Sequence, residues 1–295
     1  MSAVIDSRRP ALSPGRLFWR RFVAHRSAIV SLFLLGFIII ACLVGPWLSP
    51  YAGEETDWSM MAAPPSLESA HYFGTDALGR DLFVRTLEGG RISLAVGLAA
   101  TLVSLFIGVA WGAIAGYAGG RVDTVMMRFT DILYAIPFLF FVILLMVMFG
   151  RNLFLMFIAI GAVNWLDMAR IVRGQTLSLR EKEFVMAARA MGQHPAIIIT
   201  RHILPNLLGV VIVYATLTVP QVILTESFLS FLGLGVQEPD TSWGALVNEG
   251  AREMELSPWM LLFPAGFLAA TLFCLNFIGD GLRDALDPKE HKNNG

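Results

Sequence analysis

The residues best suited to do work in this chain lie in one stretch, residues 172–206, and the work they suit is recognition. Phe184, Ala187, Ala188 and Met191 recur at i, i+3, i+4 and i+7, one stripe of a helix. Glu181, Lys182 and Glu183 open that helix, Gly192 supplies a stop, and Pro195 helps redirect the chain. A second amphipathic run from Ala196 leads to Leu204 and Pro205. A stripe with two alanines is a low ridge that fits a partner's groove, but spacing alone favours a helix lying on lipid or packed beneath its own bundle. Bond-making chemistry has no candidates. The lysines are Lys182, Lys289 and Lys292, none after a glycine run, so a phosphate loop is missing. H-E-x-x-H, G-x-S-x-G and a potassium filter sequence are missing too, which leaves a membrane protease or esterase without a nucleophile.

The elements that position this stretch follow from composition. Of 295 residues, 56% are hydrophobic and 15% charged, against ~25% charged in soluble domains. So much apolar surface finds its solvent in lipid. A net charge of −1 with no long basic stretch argues against a nucleic-acid partner. Gaps between charged residues predict six membrane helices, near 28–48, 93–116, 132–149, 153–171, 206–225 and 259–279, with a kink at Pro137 in the third. With both ends inside, 17 of the 22 basic residues face the cytoplasm, leaving Arg80, Arg85, Arg91, Arg151 and Arg252 outside. The first run is too long for a signal-peptide core and lacks a cleavage site before Pro46, so it reads as an anchor.

The segment GRLFWRRFVAHRS predicts a short helix in the inner interface or a snorkelling flank of the first span. Outside, residues 50–92 form an acidic loop that reaches GTDALGRD. Thr75 or Asp76 would cap a turn there, Asp81 a short helix LFVRTLE, and Gly89–Gly90 would stop it before the second span; a docking surface is the other reading. The stretch after the fifth span, SFLSFLGLG, suits a re-entrant segment buried against protein. Cys42 and Cys274 fall within spans and read as small buried hydrophobes.

The 172–206 stretch resembles the cytoplasmic coupling signature of ABC importer permeases: Glu-Ala-Ala, three residues, Gly, nine residues, Ile-x-Leu-Pro. Ala187–Ala188, Gly192 and Leu204–Pro205 match; Met186 and His202 depart from it. GTDALGRD, FLSFLGLG with QEP and SWGALV, NWLDMARIVRGQTLSL, SPWMLLFPAGF and NFIGDGLRDALDPK resemble the dipeptide/oligopeptide/nickel permease family, most of all its oligopeptide C-type members, from about Arg16 to Lys289.

The resemblance implies an all-α integral membrane protein with the type I ABC importer permease fold and both termini cytoplasmic. It divides the chain into a cytoplasmic segment 1–27, the first helix and periplasmic loop 28–92, a five-helix core 93–280 carrying the coupling loop, and a tail 281–295. It implies a non-catalytic subunit of an ATP-driven oligopeptide importer in the bacterial inner membrane. Such a subunit pairs with a B-type permease, two cytoplasmic ATPase subunits and a periplasmic peptide-binding protein. It binds no cofactor itself, ATP and Mg being used by the partners. Glu183, Phe184, Ala187, Ala188, Met191, Gly192, Leu204 and Pro205 become the ATPase-coupling residues.

Ionisable groups inside a membrane are the other candidates. Asp167 and Arg170 form an i, i+3 ion pair or touch substrate. Glu226 lines the mouth where a peptide's amino group enters, or is a solvated helix end; Asn164 and Asn276 hydrogen-bond between helices. A secondary carrier would need more intramembrane carboxylates and inverted halves. Dipeptide and nickel importers share the motifs, but nickel would need convergent ligands, and all five histidines fall in predicted loops or tails.

Overall fold

The computed structural model describes residues 14–149 and 153–286, all helices and connections with one isolated bridge between Thr75 and Asp81. Asp287, Lys289, Lys292, His291, Arg8, Arg9 and Arg151 lie outside the described residues. Helices α1 (Pro14–Ala24) and α2 (Arg26–Val44) are separated only by His25, which adopts an extended conformation. Phe22 of α1 is buried against Ala28 and Ala285 while Trp19 is exposed. Pro46 then tightens the chain into a 3-10 turn, Gly45–Leu48.

Helix α3 (Leu82–Ala118) is 37 residues long. Asp81 caps it, its Oδ1 accepting from the Val84 amide at 2.8 Å. The expected stop at Gly89–Gly90 does not occur, and LFVRTLE is the first part of the same helix as the second span. Glycine costs ~1 kcal/mol in a helix interior, but here it admits a neighbour. A methyl at Gly90 would lie 2.6 Å from the Trp243 ring, so the bare backbone is what lets that indole pack.

The third expected span is broken. Helix α4 (Gly120–Tyr134) and α5 (Phe138–Phe149) meet at 78°. Pro137 has no amide to continue the ladder, and the new helix restarts with the Phe141 amide donating to the Pro137 carbonyl. Helix α6 (Leu153–Arg180) follows, then α7 (Glu183–Ala190) and α8 (Pro195–Ile198). A π turn, Ile199–Ile203, joins α8 to α9 (Leu204–Phe231), so the helix is unbroken from Pro195 to Phe231. The first part of the expected re-entrant stretch is therefore the last turn of α9, and Gly233, in the left-handed region, ends it. Helices α10 (Trp243–Arg252) and α11 (Trp259–Leu286) complete the chain.

Four helical stretches are long and apolar enough to cross a membrane, or five if the bent α4–α5 pair is one span. Large apolar side chains are exposed along them, among them Phe33, Phe37, Phe106 and Val147, the reverse of a soluble bundle. α3 is the hub. It packs most extensively on α6 and also touches α2, α9, α10 and α11. Gly108, Gly112 and Gly116, four apart, form the strip of α3 that meets α6 near Met168, Ala169 and Thr176. Small residues at this spacing let two backbones approach closely where no hydrophobic drive separates protein from lipid.

Candidate functional site: hairpin, cavity and cap

At one end of the bundle, α7 and α8 form a short hairpin. Gly192 sits at φ +73° and completes a C-terminal motif in which its amide donates to the Arg189 carbonyl and the Gln193 amide to that of Ala188. His194 caps α8, Pro195 occupies its first turn, and His202 Nε2 lies 3.1 Å from Gln193 Oε1, closing the hairpin on itself. His202, one of the two departures from the signature, thus has a local partner.

The stripe of α7 divides. Ala188, with Val185, is buried against Ile198, Ile203 and Leu207, whereas Glu183, Phe184, Ala187 and Met191 are exposed. Of the two alanines read as one ridge, Ala188 packs inward and Ala187 faces out. Leu204 packs against the same apolar cluster, and Pro205 stands exposed at the start of α9. The hairpin is tied to the end of α3 by the Arg189 guanidinium, 5.3 Å from the Tyr117 ring centroid. Arg180 adds donors to the Tyr117 carbonyl, 3.4 Å away, at the negative end of the α3 dipole.

Between α6 and α9 lies a cavity of about 460 Å³ lined by Asn164, Asp167, Arg170, Tyr214, Thr218 and Gln221 among others. A second, of about 530 Å³, shares Tyr214 and Leu217 and continues toward Asn206 and Arg283. Three of the five expected membrane-depth residues, Asn164, Asp167 and Arg170, therefore share one wall. Their partners are not those expected. Arg170 does not pair with Asp167; it reaches Asp131 of α4 at 2.8 Å and lies over the Tyr134 ring at 4.3 Å. The end of α4 presents both an acid and a ring, which a neighbour one turn away cannot match. Nor do the asparagines bridge helices. Asn164 donates to the Ile160 carbonyl and Asn276 to that of Leu272, each four residues back on its own helix. Spacing also left unread the paired hydrogen bonds from Arg173 to Asp123, 2.5 and 2.6 Å, which fix α6 to α4.

Glu226 is elsewhere. It is fully buried, neither solvated nor at a mouth, and accepts from Ser230 Oγ at 2.7 Å, Ser93 Oγ at 3.1 Å and Ser227 Oγ at 3.4 Å. Three serines facing an acid across α3 and α9 carry no sequence signal, because Ser93 and Glu226 are 133 residues apart.

Beyond Glu226 the bundle is closed by a cap built from the 57–81 loop, the start of α3 and α10. Asp76 folds its own loop by accepting from the Leu78 and Arg80 amides at 2.8 and 2.9 Å. Arg80 meets it at 2.7 Å and Arg85 also contacts it. Arg85 continues to Glu249 of α10 at 2.8 Å, and Arg80 to Glu238 at 2.9 Å. His71 Nδ1 lies 2.8 Å from Asp81 Oδ2 while its ring stacks on Tyr51, 4.1 Å between centroids. At the rim the Ser59 hydroxyl and amide donate to Asp57, holding its carboxyl below the ordinary carboxylate range. GTDALGRD is thus a set of turn, cap and ion-pair residues that bind loop to helix.

Among the described residues no group of three His, Cys, Asp or Glu side chains is arranged to hold a metal ion. Cys42 and Cys274 are free and buried.

Residues 108–292 match the family described as binding-protein-dependent transport system inner membrane component. Residues 13–65 match the N-terminal TM domain of oligopeptide transport permease C. The chain is 61% identical to the oligopeptide transport system permease protein OppC of Haemophilus influenzae, over 94% of this chain and 90% of that one. It is 60% identical to OppC of Escherichia coli K12, over 94% and 93%. The dipeptide transport system permease protein DppC of Bacillus subtilis is 46% identical over 96% and 88%. An exposed hairpin continuous with an apolar helix, a cavity beside that helix and these matches lead to one assignment: the chain belongs to the binding-protein-dependent transport system inner membrane components, as an OppC-type oligopeptide permease.

Proposed function

We propose that this chain is the C-type permease subunit of an ATP-driven oligopeptide importer, a non-catalytic half of the passage. The observation that carries this is the single helix running from the exposed hairpin at Pro195 to Phe231, which forms one wall of the cavity on its way. α2, α3, the bent α4–α5 pair, α6, α9 and α11 supply six crossings, and the basic residues put both termini and the hairpin in the cytoplasm. A second permease covers the open cavity side, two ATPase subunits grip the hairpins, and a peptide-binding protein delivers cargo at the cap. ATP and Mg are consumed by those ATPases. Glu183, Phe184, Ala187, Met191 and Gly192 present the coupling surface; Ala188, Leu204 and Pro205 hold it to the helix it moves. Purification in mild detergent should recover a second permease and two ATPase chains, with hydrolysis raised by peptide-loaded binding protein. Peptide accumulation by the isolated chain in sealed vesicles would refute the assignment.

Gly192→Val tests the coupling role. The Gly192 backbone lies in the left-handed region with open space around the added carbon, so the substitution acts through strain, ~1–2 kcal/mol, and not through a clash. Peptide uptake by the assembled complex should fall tenfold or more, while Gly192→Asn, which tolerates that conformation, should keep most of it. Equal uptake by the Gly192→Val and native complexes would remove Gly192 from the mechanism.

The cavity is tested by access. Asp167 is exposed at membrane depth, where a carboxylate needs water or a partner. Asp167→Cys and Thr218→Cys should react with a membrane-impermeant maleimide in the assembled complex, with rates that change on adding nucleotide. Phe106→Cys, on an exposed apolar face, should not react. Unreactive 167 and 218 positions would mean that this wall does not border an aqueous path.

A further inference from the structure

Glu226 is a buried carboxyl that the transport reading leaves without a task. Its hydrogen bonds join three elements. Ser93 comes from α3, Glu226, Ser227 and Ser230 from α9, and Ser242 from the start of α10. Ser242 Oγ donates to Ser230 Oγ at 3.2 Å and also accepts from the Ala245 amide at 3.3 Å, so the network ends in the cap of α10. The Trp243 amide donates to Ser93 Oγ at 3.2 Å, and the indole nitrogen to the Thr86 carbonyl at 2.9 Å. Alongside, Gly244 lets α10 rest on the α9 backbone; a methyl there would lie 2.4 Å from the Ser227 Cα.

Apolar helix contacts are non-directional and tolerate sliding. A carboxyl has about four lone-pair positions, and hydroxyls directed at them in a low-dielectric interior fix one arrangement. Glu226 therefore ties α9 to α10 and α3 more definitely than packing alone. On the far side α10 is tied to the rest of the cap through Arg85–Glu249. Toward the other end of the same unbroken helix, 31 residues or ~47 Å from Glu226, stands the hairpin. Pro220, which removes one ladder bond, is buried and does not interrupt it.

We propose that Glu226, with Ser93, Ser230 and Ser242, is the joint through which the cap and α9 move as one piece. Engagement of the cap from outside is thereby felt at the hairpin. Glu226 is a positioning residue for that signal and not a substrate contact. The inference rests on the importer reading above.

The test uses the assembled complex and compares basal hydrolysis with hydrolysis in the presence of peptide-loaded binding protein. Glu226→Ala should cut the stimulation at least fivefold with the basal rate within twofold of native. Glu226→Gln, which keeps an acceptor and adds a donor, should retain most of it. The double substitution Ser93→Ala with Ser242→Ala, leaving the acid in place, should reproduce the loss, and it decides alone should Glu226→Ala fail to assemble. Full stimulation in the serine double variant would overturn the joint. A native complex indifferent to the loaded binding protein would overturn the importer reading, a result distinct from native stimulation that survives the variants.

Discussion

Arg85→Ala should lower the apparent midpoint of thermal unfolding of the detergent-purified chain by roughly 6–12 °C. Arg85 is buried and bonds Asp76, itself buried, together with Glu249 of α10. Removing one partner of a buried ion pair costs about 3–5 kcal/mol, because the remaining charge loses its counter-ion and cannot hydrate. Two features place the expected loss at the low end, ~3 kcal/mol on that scale. Arg80 still holds Asp76 at 2.7 Å, and the Glu249 side chain is 35% exposed and regains water. At ~2–4 °C per kcal/mol the stated fall follows. Glu249→Gln should shift the midpoint far less. A fall under about 2 °C in Arg85→Ala would show that the cap does not depend on this cluster.

Gly112→Leu should abolish recovery of folded chain. A carbon added at Gly112 would stand 2.4 Å from the Ala169 carbonyl oxygen and 2.9 Å from the Arg173 amide nitrogen. Both obstacles are backbone of α6, which cannot rotate aside as a side chain can. Overpacking in compliant cores costs ~1–3 kcal/mol, and this rigid contact exceeds that range because α3 and α6 must separate along their shared strip. Separation would also break the α6 side of the cavity and the Arg180 contact with the end of α3. Gly36→Leu is the matched control, as nothing lies within 4 Å of the added carbon there. The readout is monodisperse protein by size exclusion. A Gly112→Leu chain that elutes like the control would mean that the close approach of α3 and α6 is not required.

Much of the candidate site was legible along the chain because its signals are local. Gly192 followed by Pro195 marks a helix stop and restart within four residues, and the structure forms both there. Asp81 caps the helix that it precedes, and Pro137 breaks the helix that contains it. The three glycines at 108, 112 and 116 went unread, although their spacing of four marks one face of α3.

What was misread depended on competition between distant partners. Gly89 and Gly90 are breakers by local propensity, yet Trp243, more than 150 residues away, packs against Gly90 and the helix continues. Asp167 and Arg170 are neighbours in sequence, but Asp131 and Tyr134 offer Arg170 a better-placed acid and ring.

Composition and charge were enough to place the chain in lipid, and short-range residue types were enough to mark where its hairpin and first cap begin, because hydropathy and capping act within a few residues. Which carboxylates face the cavity and which are enclosed was left to the packing of the helices. The environment of Asp167 or Glu226 is set by side chains that folding brings from other helices, and an acid in water and an acid among serines look the same in one dimension.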